Sequence, residues 1–145
     1  MNLLLIFHLV AATIWVGGHF YLSVIILPKV LKNRSSQTLL DFEKSYEPVG
    51  LPALLILVVT GVWMAFRWGV PINRWLAFET GIDKLVSVKL ILLFATLALA
   101  IHAQTRVLPK LSEKTLPLMA LHIVAVTLIG IGMLTLGTLF RNGGI

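Results

Sequence analysis

Five ionisable side chains lie inside or at the ends of long apolar stretches of this sequence, where charge is costly. They are His8, His19, Lys89, His102 and His122, and they include every histidine of the chain. Charged or titratable groups buried in an apolar phase are rare unless they hydrogen-bond, bind an ion or take part in proton or electron transfer. These five residues are therefore the first candidates for function.

The spacing of these residues along their helices predicts two groups at different depths. His8 and His19 are 11 residues apart, so in a helix they share one face about 16 Å apart. If successive helices are antiparallel, one end of the bundle collects three histidines and a methionine: His19, His102, His122 and Met119. The other end collects His8, Lys89, Met64 and Met133.

Two metal chemistries fit these groups. Imidazole is a good ligand for haem iron, and two histidines on facing helices can hold a haem b. Histidine together with thioether sulfur suits the soft ion Cu(I), so His8, Met64 and Met133 form a candidate copper site. Arg106 either pairs with a haem propionate or anchors the chain at the membrane surface.

Structural roles compete with these functions. An intramembrane histidine can simply hydrogen-bond a neighbouring helix, and methionine commonly fills gaps in a core. Lys89 can extend its amine to the membrane surface. Four histidines at two depths on three helices favour a function over packing alone.

The elements that position these residues are four membrane-spanning helices. The chain has 145 residues, 58% of them hydrophobic and only 12% charged, whereas soluble domains are about one quarter charged. Apolar stretches long enough to cross a bilayer are predicted at residues 3–27, 49–68, 85–108 and 116–140. Residues 36–46 read as a short amphipathic helix at the interface. We expect a single all-α domain, an antiparallel four-helix bundle.

The basic residues set the predicted orientation in the membrane. The first and third loops hold seven of them: Lys29, Lys32, Arg34, Lys44, Arg106, Lys110 and Lys114. The other side holds four: Arg67, Arg74, Lys84 and Arg141. The positive-inside rule places the first group in the cytoplasm and both termini outside. Basic residues scattered in this way do not form a nucleic-acid surface, and the absence of cysteine excludes thiolate sites.

Short motifs along the whole chain resemble the copper-resistance D family of bacterial inner-membrane proteins. They are Phe7-His8, Trp15-Val16-Gly17-Gly18-His19-Phe20, Leu27-Pro28, Phe42-Glu43, Gly50-Leu51-Pro52, Thr60-Gly61, Lys89-Leu90, His102 and Arg141-Asn142-Gly143-Gly144. The resemblance implies a membrane protein of copper uptake or tolerance that works beside a periplasmic copper-binding protein.

A second pattern is similar to the four-helix membrane protoporphyrinogen oxidase that binds haem b. It rests on His8, Trp15, Gly18, Lys89-Leu90 and His102. This likeness implies that His8 is a haem ligand or catalytic residue with Lys89 as its partner, and that a quinone or the respiratory chain accepts the electrons. His19 and His122 lie outside this pattern and favour the copper-resistance D family.

We therefore expect a metal centre, haem b or copper, held by His8, His19, His102 and His122 for copper handling or electron transfer. In the electron-transfer case, His19 pairs with His102 or His122. The alternative is a haem-dependent oxidoreductase with His8 and Lys89 as candidate catalytic residues. A bundle this small is also compatible with a homodimer.

Overall fold

The computed structural model describes residues 2–145, and within them the chain is helical with no β-strand. Its five α-helices are α1 (Asn2–Tyr21), α2 (Leu27–Asn33), α3 (Ser36–Arg67), α4 (Gly81–His102) and α5 (Leu116–Thr138). A π-helical turn at Leu22–Ile26 joins α1 to α2, and a second one at Ala103–Val107 prolongs α4. The all-α prediction is confirmed.

Four continuous helical stretches are long and apolar enough to cross a membrane. They are Leu3–Asn33, Ser36–Arg67, Gly81–Lys110 and Leu116–Asn142. Many large apolar side chains on their outer faces are exposed, among them Leu55, Phe94 and Leu128, as expected for surfaces that meet lipid. The predicted four-helix membrane bundle is therefore confirmed, and the chain is a multi-pass membrane protein.

The helices extend beyond the predicted spans, most clearly at α3. Residues 36–46, predicted as a separate interfacial helix, form the first turns of α3 and continue into the second span. The Ser35 side chain begins the helix by accepting the backbone N–H of Thr38. Pro48 and Pro52 lie inside α3 without ending it. With 32 residues, α3 is about 48 Å long, so its charged first turns reach past a hydrocarbon core of about 30 Å.

The helices pack in the order α3, α1, α5, α4, with each helix antiparallel to its neighbour. We call the end that carries Asn2 and Ile145 the upper end, and the opposite end the lower end. Small residues allow close approach between helices: a methyl group added at Gly130 would press on the Val16 side chain. The lower end holds the largest apolar core, with Leu22, Val30 and Leu39 almost fully buried.

The upper end is closed by the connection between α3 and α4. Asp83 is fully buried. The Arg74 guanidinium forms an ion pair with its carboxylate and donates a hydrogen bond to it. The Asp83 carboxylate also accepts the backbone N–H of Thr80, and the Thr80 hydroxyl accepts that of Asp83, which makes a capping box at the start of α4. The buried Ser87 hydroxyl accepts the backbone N–H of Leu76 at 3.0 Å. The connection is thereby fixed over the bundle.

Candidate functional site

A cavity of about 140 Å³ occupies the upper half of the bundle, between α1, α3, α4 and α5. Most of its wall is apolar or aromatic, with Trp68, Trp75 and Phe140 near the upper end. The side chains with donor atoms along its wall are His8, Met64, Lys89, Thr96 and Met133. The structure thus brings together His8, Lys89, Met64 and Met133, which the sequence placed at one depth.

The imidazole of His8 is held in one orientation by Thr60. The Thr60 hydroxyl donates its single hydrogen to the backbone carbonyl of Ile56, 2.5 Å away. It can therefore only accept from His8, whose Nδ1–H lies 2.7 Å from the Thr60 oxygen. In neutral His8 the lone pair is then on Nε2. A histidine whose Nδ1–H is held in this way has the usual arrangement of a metal ligand.

Lys89 enters the same cavity from α4. Its Nζ lies 5.6 Å from the centroid of the Phe140 ring, within the range of a cation–π interaction. Gly137 lies beside the amine, and a methyl group added there would be in ordinary van der Waals contact with it, 3.7 Å from Nζ. The cavity therefore contains one positive charge besides its neutral donor atoms.

A second cavity of about 60 Å³ lies in the lower half. Its wall carries six polar side chains: His19, Glu43, Tyr46, Glu47, Gln104 and His122. Met119 also lines it and is buried. Glu43 and Glu47 are one turn apart on α3, so both carboxylates reach the same side of the helix. The sequence pattern did not mark these two acids as candidate functional residues.

His19 is oriented by the backbone of its own helix. Its Nδ1–H donates to the carbonyl of Trp15 at 2.9 Å, which leaves the lone pair on Nε2. The Tyr46 hydroxyl shares its single hydrogen between the Ile14 carbonyl at 3.0 Å and the Trp15 carbonyl at 3.2 Å. The Tyr46 ring lies edge-on to His19, with centroids 5.8 Å apart.

His102 and His122 form a hydrogen-bonded pair between α4 and α5. The Nδ1–H of His122 donates to the Leu118 carbonyl at 2.8 Å, so its Nε2 carries the lone pair. That Nε2 accepts the Nδ1–H of His102 at 2.8 Å. His122 is buried and both of its nitrogens are used, whereas His102 is exposed on the outer face of α4.

The expected cluster of three histidines at the lower end is therefore only partly formed. His19 and His122 line the lower cavity, but His102 reaches His122 from outside and does not line it. Residues 2–145 contain no group of three or more His, Asp or Glu side chains that could hold a metal ion. Arg106 is exposed at the lower end and lines neither cavity.

Tyr46 and Trp15 line the cavities, and Thr60 positions His8. Thr60 and Trp15 occur in the motifs quoted above, whereas the sequence pattern did not single out Tyr46. Thr60 precedes Gly61 and Tyr46 contacts Gly18 and Gly50. The only sign of Tyr46 in the sequence was the glycines that pack against it in the structure.

These features define a membrane-embedded four-helix bundle with a donor-lined cavity in each half. The family model for copper resistance protein D matches residues 40–140. The chain therefore belongs to the copper resistance protein D family and is a copper-resistance membrane protein, as the first resemblance implied. No curated protein and no solved structure shows a significant match to the chain, and the resemblance to the oxidase gains no support.

Proposed function

We propose that the protein binds Cu(I) in the upper cavity, through Nε2 of His8 and the thioether sulfurs of Met64 and Met133. The observation that carries this proposal is that all three side chains line one cavity while Thr60 keeps the His8 lone pair on Nε2. Imidazole and thioether donors are neutral and soft, which suits a monovalent soft cation. Membership of a copper-resistance family supports the choice of metal.

The surroundings of the site support copper handling inside the membrane. The cavity wall is largely apolar and aromatic, so water competes weakly for the ion once it has entered. Lys89 acts against binding, because its positive charge repels a cation in the same cavity. We expect Lys89 to weaken the affinity and so to favour release over storage.

The size of the cavity favours a metal ion over haem b. Its volume of about 140 Å³ is close to that of an engineered cavity of about 150 Å³ that holds one benzene molecule. A porphyrin has four pyrrole rings around its metal, and protoporphyrinogen is as large. Both molecules are much larger than this volume, so we derive no step through haem and no oxidation of a tetrapyrrole.

The distribution of basic residues supports an orientation for this function. The lower end carries seven of the loop lysines and arginines and the upper end four, so we propose that the lower end faces the cytoplasm. The upper cavity then opens on the outer side of a bacterial inner membrane. A periplasmic copper-binding protein is the partner that we expect to deliver or accept the ion there.

The test is a titration of the purified protein with Cu(I) in competition with a colorimetric chelator. We expect one ion per chain in the wild type, and loss of that binding in His8→Ala and in the double variant Met64→Leu, Met133→Leu. The matched control is Met119→Leu, because Met119 is buried in the lower half. Equal binding in all variants would contradict the proposal, as would a Soret band in the purified protein.

A further inference from the structure

The two cavities lie above and below a single side chain. Among residues 2–145, Trp15 alone lines both of them. It is buried on α1, where Leu54 of α3 and Val126 of α5 pack against it. The indole therefore lies between the upper cavity and the lower one.

Polar contacts around its backbone hold Trp15 in this position. The Trp15 carbonyl accepts hydrogen bonds from both His19 and Tyr46, and the Trp15 and His19 rings are 4.4 Å apart at their centroids. The Tyr46 ring fits between Gly18 and Gly50, and a methyl group added at either glycine would collide with it. The segment of α1 around Trp15 is thus fixed to α3.

Donor atoms are present on both sides of Trp15. Above it, His8 offers Nε2 to the upper cavity. Below it, His19 lines the lower cavity with its lone pair on Nε2, beside the carboxylates of Glu43 and Glu47. His8 and His19 are about 16 Å apart along the helix axis, which is about half of the hydrocarbon core.

We propose that the two cavities are halves of one cation passage, closed by Trp15, and that the lower cavity receives the ion from the upper one. This inference rests on the proposed binding of Cu(I) in the upper cavity. The carboxylates of Glu43 and Glu47 attract a monovalent cation towards the lower end. The lower cavity then acts as a transit position, since conduction requires sites that an ion can both enter and leave.

The experiment measures entry of Ag⁺, a stable soft monovalent ion, into vesicles that contain the reconstituted full-length protein and a silver-sensitive dye. We expect Trp15→Ala to increase the entry rate at least about tenfold, equivalent to lowering the barrier by about 1.4 kcal/mol. The matched control is Trp63→Ala. Trp63 is 58% exposed and lines neither cavity, so its removal should leave the rate at the wild-type value.

Trp15→Phe provides a second variant that keeps a ring in the core, and we expect a smaller increase than with alanine. Ag⁺ binding is titrated on the same samples. Unchanged binding with unchanged entry in both Trp15 variants would overturn the passage and leave the copper site standing. Absence of Ag⁺ binding in the wild type would overturn both the copper site and the passage. An equal rise of the entry rate in Trp63→Ala would show a general leak and overturn the role of Trp15.

Discussion

Replacing Thr60 with valine removes the hydroxyl that positions His8 and keeps nearly the same side-chain shape. In the wild type, the Thr60 oxygen accepts the Nδ1–H of His8 at 2.7 Å. In Thr60→Val that N–H loses this acceptor, so the ring can change tautomer and rotate. Copper binding must then select the form that presents Nε2. Loss of such a supporting contact typically weakens metal affinity about 10- to 100-fold, or about 1.4–2.7 kcal/mol.

The same change should also lower stability, because an unpaired buried donor costs about 1–3 kcal/mol. Affinity is measured by chelator competition with Cu(I), and stability by thermal unfolding in detergent. Thr60→Ser retains the hydroxyl and should restore most of the affinity. The matched control is Thr135→Val, because Thr135 donates to the carbonyl four residues earlier on α5 and is exposed. Wild-type affinity in Thr60→Val, or an equal loss in Thr135→Val, would refute the role given to Thr60.

Three further changes test other parts of the structure. Lys89→Met should tighten Cu(I) or Ag⁺ binding at least about tenfold by chelator competition, because it removes a positive charge that repels a cation in the same cavity. Unchanged affinity would place the ion far from Lys89. Asp83→Asn should lower the free energy of unfolding by about 1–3 kcal/mol, since the partly buried Arg74 loses its anionic partner and retains only a neutral acceptor. A thermal shift near zero would contradict this. Gly18→Ala should destabilise the protein by about 1–3 kcal/mol because it displaces the Tyr46 ring. Its control is Gly17→Ala, because a methyl group added at Gly17 meets no atom within 4 Å.

The depth of each functional residue could be predicted from the sequence. The rise per residue of a helix is fixed, and short loops make successive spans antiparallel, so distances along the membrane normal follow from counting. This is why His8, Lys89, Met64 and Met133 were expected at one level, and the structure places all four along one cavity.

The rotation of each helix could not be predicted in the same way. The spans are apolar on all sides, because one side faces lipid and the other faces a core of similar chemistry, so no face is marked as interior. His102 was therefore expected inside the bundle, although it lies on the exposed face of α4. The role of Thr60 and the position of Trp15 between two cavities depend on contacts across the bundle, which spacing along one helix does not show.

The length of α3 was also underestimated for a physical reason. The mixture of polar and apolar residues at 36–46 suggested an interfacial helix separate from the second span at 49–68. In the structure the helix continues through Pro48 and Pro52. The Tyr46 ring, packed against Gly18 of α1, ties the first turns of α3 to the bundle and keeps them in line with the span.

X-ray absorption spectroscopy of the Cu(I)-loaded protein tests the proposed metal site most directly, because it identifies the atoms bound to copper. We predict one nitrogen and two sulfur neighbours, with the sulfur signal lost in the Met64→Leu, Met133→Leu variant and retained in Met119→Leu. A copper environment with only nitrogen or oxygen neighbours, or a sulfur signal that survives the double substitution, would contradict a site built from His8, Met64 and Met133.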